Sequence, residues 1–344
     1  MTLSNNTQLK VGALFSGIGG FCIAFEKVGF KTAWAVEKDV DAVRTYRHNF
    51  PHTPVIEIDG QPAPIEKVSV EKCGLEPVDV LHAGFPCQSF SQAGARKGFN
   101  DSRGRLFFEI IRIIKEFKDK KPSVLVLENT PYIRHGDGGS WFLEISNAIR
   151  GAGYWFRDSN CAELDPYDLT DLPQQRNRLF MVAFSIEHFR NGRFGFPQKK
   201  VNLVKDLTKF IDFHGKLDDD TYYLPEDNRY YRMLKAHMKD KSVIYQIRKS
   251  TVRVKEPGVC PTFTANMGLG GHNVPFIHDA KGIRKLTEHE CLKLQGFPDS
   301  FSFPDDVPRS RRYVQIGNSV VPEVVGLIAK EVKEKIVKER LVSV

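Results

Sequence analysis

The chain contains 344 residues, of which 41% are hydrophobic and 27% are charged. This is the composition of an ordinary globular protein, with enough chain for one large domain or two modest ones. The formal net charge of +8 favours a polyanionic partner without identifying one. Six scattered cysteines without a C-x-x-C pair argue against a zinc site or a disulfide framework. The sequence has no long apolar run and begins with polar residues, so we expect a cytoplasmic protein rather than a membrane or secreted one.

The first predicted elements are a strand, a glycine-rich turn and a helix. Residues 10–15 form the buried strand, residues 16–20 the turn, and apolar residues at helical spacing follow, with Gly29 as the helix cap. The next strand, at residues 32–36, ends at Glu37. This layout is typical of a dinucleotide-type cofactor site, because glycines let the backbone approach the ligand and the carboxylate accepts from ribose hydroxyls. The turn differs from G-x-G-x-x-G, which counts against a nicotinamide cofactor.

The second predicted βα unit ends in another carboxylate. Asp39 is a good N-cap for the next helix, and residues 55–58 form a third predicted strand that ends in Asp59. Carboxylates at the ends of two successive strands suit an adenosine, with Glu37 on the ribose and Asp59 on the adenine amino group. Judged by local sequence alone, Asp59-Gly60 is instead typical of a turn.

The segment GFPCQSFS, at residues 84–91, follows a short apolar strand at residues 78–83, so Cys87 stands where that strand ends. A free cysteine is most often a small buried apolar residue. Three features favour a nucleophile here. Pro86 restricts its own backbone and that of the residue before it, the neighbours of Cys87 are polar, and residues 91–105 form a cationic loop that contains glycines.

The later strands of this half also lie next to charged side chains. Residues 124–127 form a strand that ends in Glu128, and residues 179–184 form a strand preceded by Arg176 and Arg178. Two arginines two positions apart at the start of a strand would point the same way and form a fork for carboxylates or phosphates. Read locally, the glutamate is also consistent with a cap, and the arginines with a solvated surface. Further predicted elements are helices at residues 106–117 and 140–151 and a strand at residues 154–164.

The alternation of strands and helices stops near Arg190, and turn residues with mixed charges continue to about residue 281. In this stretch, basic residues precede a segment rich in Thr and Asn and a glycine-rich loop. Basic residues bind phosphates, whereas Thr, Asn and His can read base edges in a groove. A basic β-subdomain without that role explains the composition nearly as well. The candidate DNA-binding residues are Arg248, Arg253, Thr262, Thr264, Asn266 and His272.

Two further motifs end the chain. Thr287, with Glu290 three residues later, predicts a capping box for a short helix that ends at Leu294. The sequence QIGNSVVP, at residues 315–322, precedes an amphipathic helix that begins at Pro322 and ends near residue 341.

The segment around Cys87 resembles the nucleophile motif of the DNA (cytosine-5)-methyltransferases of bacterial restriction–modification systems. The family's Glu-Asn-Val triplet is represented by Glu128-Asn129-Thr130, in which Thr130 departs from the pattern but leaves both functional side chains in place. Together, the similar segments occur in the family's order and cover nearly the whole chain outside the variable region at residues 191–281. The other similar segments are the glycine turn at residues 16–20, the arginine motif at residues 176–178, and residues 284–298 and 315–322. Residues 191–281 stand where the family has its target-recognition region.

The resemblance implies an α/β fold with a Rossmann-like, mainly parallel sheet, as in S-adenosylmethionine-dependent methyltransferases, plus a smaller, irregular, β-rich target-recognition domain. We expect the catalytic and cofactor-binding domain at residues 1–190 with 313–344. Residues 191–312 would form the target-recognition domain and hinge. The implied contacts of S-adenosyl-L-methionine are Phe15, Gly17, Gly19, Gly20, Glu37, Asp59, Gly60, Pro86, Leu106, Asn318 and Ser319.

The resemblance also implies the chemistry. The Cys87 thiolate would add to carbon 6 of cytosine, and the resulting enamine would take a methyl group at carbon 5. Glu128 would neutralise charge at ring N3, while Arg176 and Arg178 would orient Glu128 and the ring carbonyl. The target base would be flipped out of the duplex, and the loop of residues 86–105 would close over it. No metal is required.

The implied partner is double-stranded DNA, with a cognate restriction endonuclease as a separately acting candidate, and we expect a monomer without membrane contact. The nearest rival function is that of the tRNA-methylating branch of the same family. A rival from another class is a catalytically silent DNA-binding regulator. The residues of the Cys87 motif, FPCQS at 85–89, and the long recognition segment at residues 191–281 argue against the tRNA-methylating function. The intact set of Cys87, Glu128, Arg176 and Arg178 argues against the second.

Overall fold

The computed structural model describes residues 8–86, 102–248, 250–269 and 273–342. The chain divides into two compact units. Unit 1 comprises Met1–Leu164, Asn177–Gln198 and Pro322–Val344, and unit 2 comprises Asp165–Arg176 and Lys199–Val321. The bounds of these compact units differ from those of the predicted functional domains, and the division into functional domains at residues 190 and 313 stays a prediction. Within the described ranges, every helix is too short or too polar to cross a membrane.

Strands and helices alternate through the first half of the chain. The strands are β1 (Lys10–Leu14), β2 (Lys31–Val36), β3 (Glu57–Ile58), β4 (Gln61–Pro62), β5 (Val80–Gly84), β6 (Val124–Asn129), β7 (Tyr154–Trp155), β8 (Cys161–Leu164), β9 (Arg178–Ser185), β10 (Tyr245–Arg248), β11 (Thr251–Val254), β12 (Phe276–His278) and β13 (Ile283–Lys285). The α-helices are α1 (Gly20–Lys27), α2 (Val40–Asn49), α3 (Ser102–Glu116), α4 (Ser140–Gly151), α5 (Pro166–Leu169), α6 (Arg229–His237), α7 (Glu288–Leu294), α8 (Arg309–Asn318) and α9 (Pro322–Val342).

The main sheet of unit 1 has the strand order β2-β1-β5-β6-β9-β7, with β8 paired to β9. The first four strands in this order are parallel, and β9 pairs antiparallel with its neighbours. Parallel strands are buried on both faces, which explains the nearly continuous apolar runs in β1, β5 and β6. The carboxyl ends of these strands, at Leu14, Val36, Gly84 and Asn129, therefore meet at one edge of the sheet.

The last helix, α9, packs against α1 in unit 1. Val325, Ile328 and Val332 form part of its buried stripe. The Nζ atom of Lys333 donates to the carbonyl of Val28, 2.6 Å away, at the end of α1. The last helix thus supports the helix that follows the glycine-rich turn.

Two predicted strands differ from the structure. Residues 55–58 were expected to form one strand, but Val55 makes an isolated parallel bridge to Ala35 of β2, and only residues 57–58 form a strand, β3, which pairs antiparallel with β4 in a two-stranded hairpin. Its turn is formed by Asp59 and Gly60, whose φ angles are 53° and 70°. These two residues therefore form the turn that their local sequence predicts, because two successive positive φ angles reverse the chain, and the contact of Asp59 with adenine stays a prediction. The strand expected at residues 154–164 is interrupted by a 3₁₀ turn at Asp158–Asn160, which separates β7 from β8.

Unit 2 contains a four-stranded antiparallel sheet in the order β11-β10-β12-β13. The capping box predicted for α7 is confirmed. Thr287 Oγ1 accepts from the backbone N–H of Glu290 at 3.1 Å, and Glu290 Oε2 accepts from that of Thr287 at 2.7 Å. Buried Arg284 pairs with Asp279 and Glu290 at 2.7 Å each and connects β13 to this helix. The sequence analysis did not anticipate α6 or α8.

His82 lies in the middle of β5 and is fully buried. Its ring stacks on Phe21, with centroids 4.6 Å apart, and its Nε2 atom lies 3.7 Å from the sulfur of Cys22. Burial lowers the pKa of His82 to about 3, because a charged imidazolium would lose its hydration there. The folded protein therefore holds this ring neutral at pH values where the unfolded chain takes up a proton.

This difference predicts a specific loss of stability in acid. Below the unfolded pKa of about 6.5, His82 should lower the free energy of unfolding by about 1.4 kcal/mol for each pH unit of acidification. Above that pH, His82 causes no such loss of stability. A His82→Phe variant should lack this contribution, so its stability relative to wild type should rise by about 2 kcal/mol between pH 6.5 and 5. Urea unfolding at several pH values measures it. The exposed His289→Phe serves as control, and a parallel pH response of the His82 and His289 variants would contradict the assignment.

Candidate active site

Glu128 and Arg178 form an ion pair at the edge of the sheet where the parallel strands end. Glu128 is 9% exposed near the end of β6, and its Oε1 atom lies 3.1 Å from Nε of Arg178. Antiparallel pairing of β6 with β9 sets Glu128 opposite Phe180, so Arg178 at the start of β9 comes within reach. The sequence-predicted partnership of these two residues is therefore present in unit 1. The arginine fixes the orientation of a carboxylate that is largely removed from water.

The segment that leads to Cys87 begins beside this pair, and Cys87 itself lies outside the described residues. Gly84 is the register partner of Glu128 in the parallel β5–β6 pairing, and a Cβ atom on Gly84 would stand 3.4 Å from Glu128 Oε2. Asn129 then donates from Nδ2 to the carbonyl of Phe85 at 3.0 Å. The backbone that leads through Pro86 to the candidate nucleophile is thus anchored next to the candidate acid.

Arg176 has a different environment. It belongs to unit 2 and is 3% exposed. Its guanidinium donates to the carbonyls of Phe263 at 2.6 Å, Gly317 at 3.0 Å and Ser319 at 2.6 Å. Strand β9 begins at Arg178, so the strand alternation that was expected to align the two arginines applies to only one of them. A role for Arg176 in orienting the cytosine ring stays a prediction.

A pocket opens at the carboxyl ends of β1 and β2. Three residues that line it, Phe15, Glu37 and Leu106, were predicted as cofactor contacts. The sequence analysis missed five others, although Lys38 directly follows Glu37. That adjacency was the available signal for Lys38. The missed lining residues are Val36, Lys38, Ala63, Ile65 and Glu66.

Glu37 is held by backbone donors from two sides. Its Oε2 atom accepts from the N–H of Gly17 at 2.9 Å, and Oε1 accepts from those of Lys38 and Asp39 at 2.9 Å each. Burial raises the pKa of Glu37, while the three donors lower it. With its lone pairs partly used in this way, the carboxylate has a fixed orientation and can still accept from hydroxyl groups of a ligand.

The turn before α1 has an unusual backbone. Phe15, Gly17 and Gly19 have φ angles of 53°, 54° and 92°. A non-glycine residue with positive φ is uncommon and often marks a functional site. A Cβ atom on Gly19 would stand 2.2 Å from the ring of Phe50, so this position requires glycine for space as well as for conformation. Gly20 is the first residue of α1.

The other predicted cofactor contacts are dispersed. Asp59 and Gly60 are exposed in the hairpin turn and do not line the pocket described above. Pro86 is half-buried next to the end of the described range. Asn318 is the exposed last residue of α8 in unit 2, and Ser319 follows it with 9% exposure. The cofactor roles of all five residues stay predictions.

The candidate recognition residues lie in unit 2. Arg248 ends β10 and Arg253 is exposed on β11, an edge strand. Thr262 donates from Oγ1 to the carbonyl of Gln175 at 2.6 Å. The Thr264 hydroxyl donates to the side-chain oxygen of Asn266, an exposed residue. His272 lies outside the described residues. The contacts of these residues with DNA stay predictions.

Comparison with known proteins identifies relatives of this chain. The family described as C-5 cytosine-specific DNA methylase matches residues 9–334. The type II methyltransferase M.Bsp6I of Bacillus sp. (strain RFL6) is 41% identical over 328 residues, which cover 94% of this chain and 98% of that protein. The type II methyltransferase M.DsaV of Dactylococcopsis salina is 33% identical over 327 residues, 94% of this chain and 86% of that protein.

The fold is also shared with a solved structure. The Entamoeba histolytica methyltransferase EhMeth superimposes with a TM-score of 0.69 at 19% identity, over 97% of this chain and 99% of that chain. The predicted fold class, an α/β methyltransferase sheet with a smaller β-rich part, is confirmed. With a family match over nearly its whole length and relatives above 30% identity, the chain belongs to the C-5 cytosine-specific DNA methylase family.

Proposed function

We propose that this DNA (cytosine-5)-methyltransferase transfers a methyl group from S-adenosyl-L-methionine to carbon 5 of a flipped-out cytosine in a specific short duplex sequence, through a covalent adduct of Cys87 at carbon 6. The observation that carries the proposal is the ion pair between buried Glu128 and half-buried Arg178. It lies beside Gly84, which belongs to the segment that leads to Cys87. It supports a carboxyl group and a nucleophile acting on one ring from neighbouring strand ends.

The proposed steps account for each bond. The Cys87 thiolate forms a bond to carbon 6, and the ring electrons that this releases make carbon 5 nucleophilic. Glu128, held by Arg178, shares a proton with ring N3 and so limits the negative charge on the ring. S-adenosyl-L-methionine, when bound, would supply the methyl group that carbon 5 takes, and would leave as S-adenosylhomocysteine once its bond between sulfur and that methyl group is broken. A base then removes the carbon 5 proton, the bond to Cys87 breaks, and the aromatic ring returns.

The pocket residues fit an adenosine. Glu37 offers an oriented carboxylate for ribose hydroxyls, and Phe15, Ile65 and Leu106 supply apolar surface for a base. The positive φ angle of Gly17 allows its backbone to donate to Glu37 in the turn before α1. These features support S-adenosyl-L-methionine as the cofactor.

Restriction–modification is the biological setting that we propose. The relatives named above are type II methyltransferases, and the net charge of +8 suits a DNA partner. The enzyme would act as a cytoplasmic monomer, with a cognate endonuclease acting separately on the same sequence. The tRNA-methylating alternative predicts activity on tRNA and none on duplex DNA. A direct assay with both substrates separates the two.

The first prediction of this proposal concerns Cys87. Cys87→Ala should abolish methyl transfer and leave the dissociation constant for S-adenosyl-L-methionine within about threefold, because the thiol forms the adduct and does not shape the adenosine site. Duplex DNA with 5-fluorocytosine at the target should form an adduct with wild type that survives denaturation, since fluorine cannot leave as the proton does.

Cys73→Ala is the matched control, because Cys73 is a half-buried cysteine away from the strand ends, and it should form the same adduct as wild type. Methyl transfer by Cys87→Ala, or failure of wild type to form the adduct on a duplex that it methylates, would refute the covalent mechanism.

The second prediction concerns the adenine amino group, for which two carboxylates compete. Asp59 was the expectation from sequence, but Glu66 is the second acidic residue of the pocket lining besides Glu37. Glu66→Ala should weaken S-adenosylhomocysteine binding by about tenfold or more, as expected for a lost hydrogen bond to a charged acceptor. Asp59→Ala should change it by less than about twofold. Titration calorimetry without DNA measures both, and the reverse ranking would assign the contact to Asp59.

A further inference from the structure

The Arg176 side chain joins two segments that are distant in sequence. Its guanidinium donates to Phe263, 87 residues away, and to Gly317 and Ser319, more than 140 residues away. Its own backbone N–H donates to Asp165 Oδ1 at 3.0 Å. A buried guanidinium needs acceptors for its fixed fork of N–H groups, and here backbone carbonyls of two chain segments provide them. The interaction therefore fixes main chain rather than another side chain.

The same two segments touch through their backbones. A Cβ atom on Gly317, in α8, would stand 2.2 Å from the carbonyl carbon of Thr264 and 2.4 Å from the nitrogen of Ala265. A Cβ atom on Gly268 would stand 2.1 Å from the carbonyl oxygen of Ser310. Residues 262–269 therefore rest directly on helix α8, with no room for a side chain at either glycine.

Each of these segments carries predicted ligand contacts. Thr262, Thr264 and Asn266 are the candidate base-reading residues, and they flank Phe263. Asn318 and Ser319 are candidate cofactor contacts, and they adjoin Gly317. All of these residues belong to unit 2, as Arg176 does. A single buried side chain thus holds both predicted contact groups in one arrangement.

We infer that Arg176 is a positioning residue that couples sequence recognition to cofactor binding, by clamping the recognition segment and the turn after α8 together. This inference rests on the proposed roles of both segments. It separates the two arginines of the R-x-R motif: Arg178 acts on the catalytic carboxylate, whereas Arg176 acts through the backbones of Phe263 and Gly317.

The chemistry of the side chain explains why arginine is needed. The Nη1 atom serves one segment and Nη2 serves the other, at the same time. A lysine ammonium is a compact point charge and cannot reproduce that planar fork. Replacement would leave buried carbonyls without a donor, and both segments would move to satisfy them.

The test compares variants of the two arginines in three measurements. These are the dissociation constant for S-adenosyl-L-methionine without DNA, the site preference on a randomised duplex library read by bisulfite sequencing, and kcat on the preferred duplex. Arg176→Lys should weaken cofactor binding by about tenfold and broaden the site preference in the same variant. Arg178→Ala should lower kcat, with cofactor affinity and site preference within about twofold of wild type.

A second variant tests the clamp without touching the arginine. Gly317→Ala forces the Thr264 backbone away from α8 and should reproduce both effects of Arg176→Lys. Gly326→Ala is the matched control, because a Cβ atom on Gly326 in α9 meets no atom within 4 Å. It should match wild type in all three measurements. If Arg176→Lys does not fold, as judged by its melting temperature, Gly317→Ala decides the question.

The outcomes separate the inference from the function on which it rests. The inference is overturned if Arg176→Lys lowers kcat while affinity and preference stay unchanged, or if Gly317→Ala matches Gly326→Ala. A shift in only one of affinity and preference overturns the coupling as well. Wild type that fails to methylate duplex DNA with S-adenosyl-L-methionine would instead refute the proposed function.

Discussion

The parallel pairing of β5 with β6 is the constraint on which the candidate active site depends. It sets Gly84 beside Glu128, and the hydrogen bond from Asn129 to Phe85 keeps the two strand ends together beyond the last ladder pair. The carboxylate of Glu128 lies between its two neighbouring strands, with Oε2 next to Gly84 of β5 and Oε1 3.1 Å from Nε of Arg178 at the start of β9. The chemistry proposed for Cys87 needs a nucleophile and a proton donor side by side, and adjacent parallel strands that end together provide such a placement.

Much of unit 1 could be predicted from sequence because its signals are local or periodic. Apolar runs marked β1, β5 and β6, and the Asp39 cap began α2 where expected. The strand predicted at residues 55–58 is only partly present, because Val55 bridges to β2 whereas residues 57–58 turn into a hairpin, and both pairings begin with the same apolar pattern. The turn residues were the stronger signal there, since two adjacent positive φ angles suit Asp-Gly and do not suit a strand.

The candidate site was less predictable than the fold. Motif order identified Glu128 and Arg178 as partners, and the structure brings them to 3.1 Å. The bonds of Arg176 could not be anticipated, because their acceptors are backbone carbonyls, which every residue carries and no sequence pattern marks. Glu66 was missed for a related reason: it lines the pocket through the path of the chain after β4, which depends on tertiary packing rather than on periodicity.

The glycine contacts between residues 262–269 and α8 have a consequence for engineering. Residues 262–269 are proposed to read the target sequence. Grafting the corresponding segment of a relative into this enzyme would exchange their side chains, but the backbone must still lie against α8 at Gly317 and Gly268. A graft that keeps those two glycines and exchanges exposed positions such as Asn266 leaves the supporting surface intact. A graft that inserts residues before Gly268 would displace this glycine from its contact with Ser310 of α8. The contact with α8 therefore limits which sequences this region can accept, whatever its exposed residues bind.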